Sequence, residues 1–114
     1  MLDHVAAGRL SLARLIDLMS AGPARVWGLA AKGRLAVGFD GDLTLVDLAA
    51  KRTIRAADGA SRCGWTPFDG KEVTGWPIAT VVRGHVVMRD GQLVGDAIGR
   101  PLRYVETLAA IAPP

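Results

Sequence analysis

The hydrophobic pattern of this chain changes period once, near residue 33, and that change limits it to a helical part followed by a sheet part. Ahead of the change, Leu2, Val5 and Ala6 stand at i, i+3 and i+4, and Gly8 is placed to cap a helix C-terminus. Ser11 is an N-cap for a second helix, whose Leu12, Leu15, Ile16 and Met19 share one face while Arg14 and Asp17 take the other. Gly22-Pro23 is expected to stop that helix and open a short third one over Ala24–Leu29, since proline is tolerated in a first helical turn.

After Gly33 the period is two. Leu43, Leu45 and Asp47 alternate with Thr44, Val46 and Leu48 behind Gly38 and Gly41, which predicts a strand. Lys51 to Ala56 reads as a further strand. Ile78 to Val82 and His85 to Met88 flank Arg83-Gly84 as a tight hairpin, and Asp90-Gly91 turns the chain into Gln92-Leu93-Val94. Ala57 to Gly75 has no sustained period and reads as a long ordered loop. The tail after Gly99 reads as loop, with a helical turn near Val105 to Ala110. The expected class is α+β, with a helical segment over 1–30 and a small antiparallel sheet within 31–114.

With 114 residues, half of them apolar, the chain amounts to one folded domain or a part of one. No apolar run approaches the ~20 residues of a membrane-spanning helix. The start, Met1-Leu2-Asp3-His4-Val5, has no basic n-region of a signal peptide. A cytoplasmic protein without membrane partners is expected. A single cysteine excludes a disulfide-stapled fold. The net charge of +3 is not a nucleic-acid signal: the bases are scattered from Arg9 to Arg103, interleaved with Asp3, Asp17, Asp40, Asp42, Asp47, Asp58 and Asp69, and aromatics are 5%. A phosphate-tracking surface needs clustered bases and stacking rings.

Catalytic constellations are missing from the spacing. Gly33 to Asp42 is rich in glycine but lacks the Gly-Lys-Ser/Thr of a P-loop and runs into a strand rather than a helix. His4 and His85 are far apart and outside any metal-binding motif. Cys63, beside Ser61, Arg62, Gly64 and Trp65, has no histidine partner in its motif and reads as a small apolar filler rather than a nucleophile. Asp40-Gly41, Asp58-Gly59, Asp69-Gly70 and Asp90-Gly91 are turn chemistry. Trp65-Thr66-Pro67-Phe68-Asp69-Gly70 is the densest piece, a fixed loop with an apolar anchor, pinned to the sheet or a neighbouring domain more readily than facing a ligand. No catalytic or metal-binding residue is assigned, and substrate-binding residues stay unassigned.

Four segments, taken in order, resemble the C-terminal end of cyclic amidohydrolases, and dihydroorotases most closely. Gly8-Arg9-Leu10-Ser11-Leu12 continuing to Ser20-Ala21-Gly22-Pro23-Ala24-Arg25-Val26-Trp27-Gly28-Leu29 is similar to the helix pair after the last barrel strand, with Gly22 in place of the usual Asn. Lys32 to Leu43, ending in Val46-Asp47, is similar to the strand entry of these enzymes, with Gly41 where Ala is common. Ser61-Arg62 through Thr66-Pro67-Phe68-Asp69-Gly70 to Gly75 resembles the dihydroorotase Ser-Lys/Arg…Asn-Thr-Pro-Phe-x-Gly segment, with Trp65 in the Asn position. Thr80 to Met88 with Asp90-Gly91 is similar to the closing hairpin.

The resemblance implies a metal-dependent (β/α)8 barrel joined to a small β-sandwich built from both chain ends. It implies reversible hydrolysis of a cyclic amide by hydroxide on a divalent metal, usually zinc, with an aspartate moving the proton. The family's ligands precede the resembling region, so none is carried over to a position here, and no cofactor is expected in this chain. This layout accounts for helices whose apolar stripe lacks a cover and for strands that form part of a sandwich. The expected function is a structural segment of a dihydroorotase-like hydrolase, inert alone. Its expected association is with the barrel portion or with a second copy. The alternative is a standalone, dimeric binding or scaffolding protein.

Overall fold

A computed structural model describes residues 1–105. Two short helices open the chain: α1 over Leu2–Ala6 and α2 over Leu12–Ile16. Gly8, at φ +68°, ends α1, and the Arg9 amide reaches back to the His4 carbonyl at 2.9 Å, the closure expected of a left-handed glycine cap. The Ser11 hydroxyl accepts the Arg14 amide at 3.1 Å and starts α2 as anticipated.

The stop expected at Gly22-Pro23 does not occur. α2 runs through a π turn, Asp17–Ala21, directly into α3, Gly22–Val26. The Gly22 amide donates to the Asp17 carbonyl, five residues back. That wider turn lets a residue without an amide hydrogen follow without breaking the rod. Glycine is needed there because a Cβ at position 22 would lie 2.7 Å from the Asp17 carbonyl oxygen. α3 ends at Gly28, φ +59°, with the Leu29 amide bonded to the Ala24 carbonyl at 2.9 Å.

Four antiparallel strands follow as a meander in the order β1-β2-β3-β4: Leu43–Thr53, Glu72–Val82, His85–Arg89 and Gln92–Leu93. Both expected hairpins form. Arg83 and Gly84 have φ of 47° and 81°, and Asp90 and Gly91 have 49° and 79°, the two positive values that a two-residue turn needs to match strand twist. Two expectations change. Lys51 to Thr53 is not a separate strand but the end of β1, reached through a bulge in which Asp47 pairs with Trp76 and Lys51 with Thr74. The Asp47 carboxylate accepts the Ala49 and Ala50 amides at 2.9 and 3.1 Å, satisfying the donors that the bulge frees. The long loop is also shorter than expected, because Glu72–Gly75 belongs to β2. Pro77 sits in β2 where the register shifts, and the displaced Ile78 carbonyl accepts the Asp90 amide at 2.8 Å.

The tail returns to the helices. The Ala30 amide donates to the Arg103 carbonyl and the Val105 amide to the Gly28 carbonyl, framing a bridge between Leu29 and Tyr104. Most of the helical turn expected over Val105 to Ala110 lies outside the described residues. The core is thin: among the described residues the buried apolar side chains are Leu15 (6% exposed) and Ala30 (9%). The rest of the α2 stripe, Leu12, Ile16 and Met19, is exposed. The radius of gyration is 16.7 Å, against about 13 Å for a compact domain of this length.

Candidate functional site

Three polar anchors and one loop hold the chemistry-bearing residues. In the first anchor, Lys32 Nζ lies 2.8 Å from the Asp40 carboxylate and also bonds Asp42, while Asp42 Oδ1 accepts the Arg83 amide at 2.8 Å. The Gly84 amide donates to the Gly41 carbonyl at 2.9 Å. The segment read as a strand entry is thereby clamped to the β2–β3 turn. The hydrogen bond from Lys32, then that from the Arg83 amide, hold the Asp42 carboxyl below the usual carboxylate range. The bonds to Asp40 and Asp42 raise Lys32. A lysine committed to two carboxylates and a carboxylate committed to a backbone amide leave no free base, so this cluster is structural.

The second anchor joins α1 to β2. Asp3 Oδ1 accepts the Thr74 amide at 3.2 Å, with Lys71 Nζ 3.5 Å and Arg9 3.9 Å from Oδ2. The Thr74 amide is the main reason its carboxyl is lowered. The third anchor is Asp17, which takes Arg14 at 3.0 Å and Arg25 at 2.9 Å across the π turn. None of the three was singled out in the sequence, because their partners are brought together by turns and docking rather than by a motif.

The Trp65–Gly70 loop folds on itself and onto the end of β1. The Asp69 carboxylate accepts the Ala56 amide at 2.7 Å, the Gly70 amide donates to the Ile54 carbonyl at 2.9 Å, and the Ile54 amide to the Lys71 carbonyl at 2.9 Å. Pinning to the sheet is the arrangement found. Its aromatic anchors, however, are not buried: Trp65 and Phe68 point outward and exposed. Beside the loop, Ile54, Arg55, Asp58, Trp65 and Trp76 border a shallow hollow of about 380 Å³. Cys63 is exposed, with its Sγ 2.9 Å from Ser61 Oγ. That contact is the main cause of a lowered thiol pKa, followed by the Trp65 backbone. Its hydrogen-bond partners, the Ser61 hydroxyl and the Trp65 carbonyl, are not bases.

The two histidines stand apart. His4 Nδ1 accepts Arg9 Nε at 3.0 Å in α1, next to the Asp3 that binds Thr74. His85 opens β3 opposite Val82. Thr74 and Val82 are about 25 Å apart along β2 at the usual rise per residue. Among the described residues no three His, Cys, Asp or Glu side chains converge on one point, so this donor set does not fit a divalent metal. No helix of the described residues is long and apolar enough to cross a membrane.

Comparison with known proteins places this geometry. Residues 1–87 match the model of the amidohydrolase family. A dihydroorotase of Methanothermobacter thermautotrophicus is 43% identical over 94 residues, covering 82% of this chain and 22% of the relative. A dihydroorotase of Halobacterium salinarum is 46% identical over 96 residues, 84% of this chain and 22% of the relative. The solved L-hydantoinase of Arthrobacter aurescens superposes with a TM-score of 0.81 at 42% identity, over 84% of this chain and 22% of that one. The chain thus spans about a fifth of the length of these relatives. The family match, the sequence similarity and the superposition each cover most of the chain, and the chain belongs to the amidohydrolase family.

Proposed function

We propose that this chain is the C-terminal structural segment of a dihydroorotase-like cyclic amide hydrolase. The reaction of the assembled enzyme is then the reversible hydrolysis of dihydroorotate to N-carbamoyl-aspartate, in cytoplasmic pyrimidine biosynthesis. The observation that carries this reading is the similarity to dihydroorotases along more than four-fifths of the chain. The Thr66-Pro67-Phe68 loop favours the same substrate. In this reading the metal and its ligands belong to the remainder of the enzyme, and no hydrolytic step is assigned to a residue here. What the segment contributes is shape: a clamped sheet with a rigid, π-turned helix rod beside it.

The test is a chimera. In the Methanothermobacter dihydroorotase, the 94-residue matching stretch is replaced by the corresponding stretch of this chain. Metal-dependent turnover of dihydroorotate is expected from the chimera and none from this chain alone. Turnover of hydantoin in preference to dihydroorotate moves the substrate assignment to hydantoinases. Hydrolysis by the isolated chain with zinc, manganese or cobalt sinks the structural role.

A further inference from the structure

Four Asp-Gly pairs lie in turns of this chain, and the fold holds them very differently. An Asp-Gly bond rearranges with no reagent but water once its glycine nitrogen reaches the aspartate Cγ, and glycine presents that nitrogen with no side chain in the way. The step needs a carboxyl and a following amide that are both unengaged. At Asp69-Gly70 both are engaged: the carboxylate accepts the Ala56 amide at 2.7 Å, and the Gly70 amide donates to the Ile54 carbonyl at 2.9 Å. At Asp40-Gly41 the carboxylate is held 2.8 Å from Lys32 Nζ. At Asp58-Gly59 the Gly59 amide donates to the Ala56 carbonyl at 3.1 Å. Asp90-Gly91 differs from all three. Both residues are exposed, and among the described residues neither the Asp90 carboxylate nor the Gly91 amide has a hydrogen-bond partner. The Asp90 amide does bond the Ile78 carbonyl, at 2.8 Å, but that nitrogen takes no part in the rearrangement.

The strand beyond this turn restrains it little. β4 is two residues long, both exposed, and lies at the end of the sheet order, paired with β3 through Met88 with Leu93 and Arg89 with Gln92. Such a short end strand opens locally at low cost. We infer that Asp90-Gly91 is a site of spontaneous isoaspartate formation, and that the fold ranks it ahead of the other three pairs. The Gly91 nitrogen bonds to Asp90 Cγ, and its hydrogen leaves with a carboxyl oxygen as water, closing a five-membered succinimide. Water then adds at the former backbone carbonyl of Asp90 and breaks its bond to the Gly91 nitrogen. The chain afterwards runs through Cβ and Cγ, with a free carboxylate on the Asp90 Cα. Composition is unchanged, and nothing is oxidised or reduced. The backbone is one carbon longer, so the β3–β4 pairs and the bond from the Val94 amide to the Val87 carbonyl, 2.9 Å, lose their register.

The experiment keeps the full 114-residue chain in neutral buffer for several weeks, with and without urea. Trypsin then places the four pairs in separate peptides, since Arg or Lys stands between each pair and the next. Isoaspartate has the mass of aspartate, so each peptide is scored by methyl transfer from S-adenosylmethionine with an isoaspartyl methyltransferase. In buffer the Asp90 peptide is expected to carry most of the label. Each bond that must open first slows the step about fivefold, so Asp40 and Asp58 follow at about that ratio and Asp69, held twice, at roughly thirtyfold. In urea the four rates are expected to converge. D90E, whose longer side chain closes the corresponding ring far more slowly, is expected to remove the main labelled peptide, whereas D58E leaves it. Label at Asp69 or Asp40 that matches Asp90 in buffer overturns the inference, as do equal rates at all four pairs there. So does an Asp90 peptide that is labelled in urea and stays unlabelled in buffer.

Discussion

The hairpins and the helix rod are both built from short pieces, yet they hold together by different means. From Ile78 to Leu93 the chain closes through neighbours: two turns with positive φ at both central residues and bulge carbonyls taken up by the next strand. From Met1 to Asp42 the pieces are the five-residue α1 and the continuous rod Leu12–Val26, both marginal as isolated helices. They are held by distant groups: Asp3 on Thr74, Asp42 on Arg83, Ala30 on Arg103. The hairpins are therefore specified by local chemistry and the helices by docking. If so, damage at a docking point releases helices and spares hairpins, and damage at a turn does the reverse.

The largest effect is expected at Gly75. It sits at φ +91°, and a Cβ there would lie 2.6 Å from Leu2 Cβ. Gly75→Ala combines backbone strain with overpacking and is expected to cost about 3 kcal/mol. Amide exchange should rise over residues 2–9 while protection over 79–93 persists, and equal loss in both regions breaks the comparison. Leu15→Ala removes a buried side chain of the helix rod and is expected to cost about 2–3 kcal/mol, read as a lower unfolding midpoint in the chimera.

The clamp at Asp42 gives a pH dependence with a definite sign. Its carboxyl titrates lower in the folded chain than in the unfolded one. Its contribution is therefore complete above the unfolded value, about 4, and is lost as pH falls through the lower folded value. Lys32, raised in the fold, contributes fully below the unfolded lysine value and loses its share as pH rises through the raised one. Asp42→Asn should flatten the acid limb of the stability curve and accelerate exchange of the Arg83 amide. A curve unchanged from the parent below pH 4 removes the clamp from the account. The smallest effect is a gain. Asp90 holds φ +49° in its turn, and Asp90→Asn places the preferred Asn-Gly there, stabilising the hairpin by about 0.5 kcal/mol. A loss of stability instead shows that the turn is set from outside.

Much of the sheet was legible because hairpin turns announce themselves in two residues, Arg83-Gly84 and Asp90-Gly91. Helix caps at Gly8, Ser11 and Gly28 belong to the same class of signal, though Gly28 went unread. What misled was proline. Pro23 reads as a stop, yet the Asp17–Ala21 π turn carries the helix through it. Gly75 reads as loop, yet it is a strand residue whose missing side chain admits Leu2.

The division follows from distance along the chain. Sequence alone determined the helix-then-sheet order, both tight turns and the caps, since each depends on the φ preferences and hydrogen bonds of residues a few places apart. Only tertiary structure decided the π turn's continuity, the β1 bulge closed by Asp47, the clamp of Lys32, Asp40 and Asp42 on the Arg83 turn, and the outward aim of Val26, Trp27 and Phe68. The clamp and the bulge arise where groups tens of residues apart meet, while the π turn spans only Asp17 to Gly22 and no residue pattern marks it.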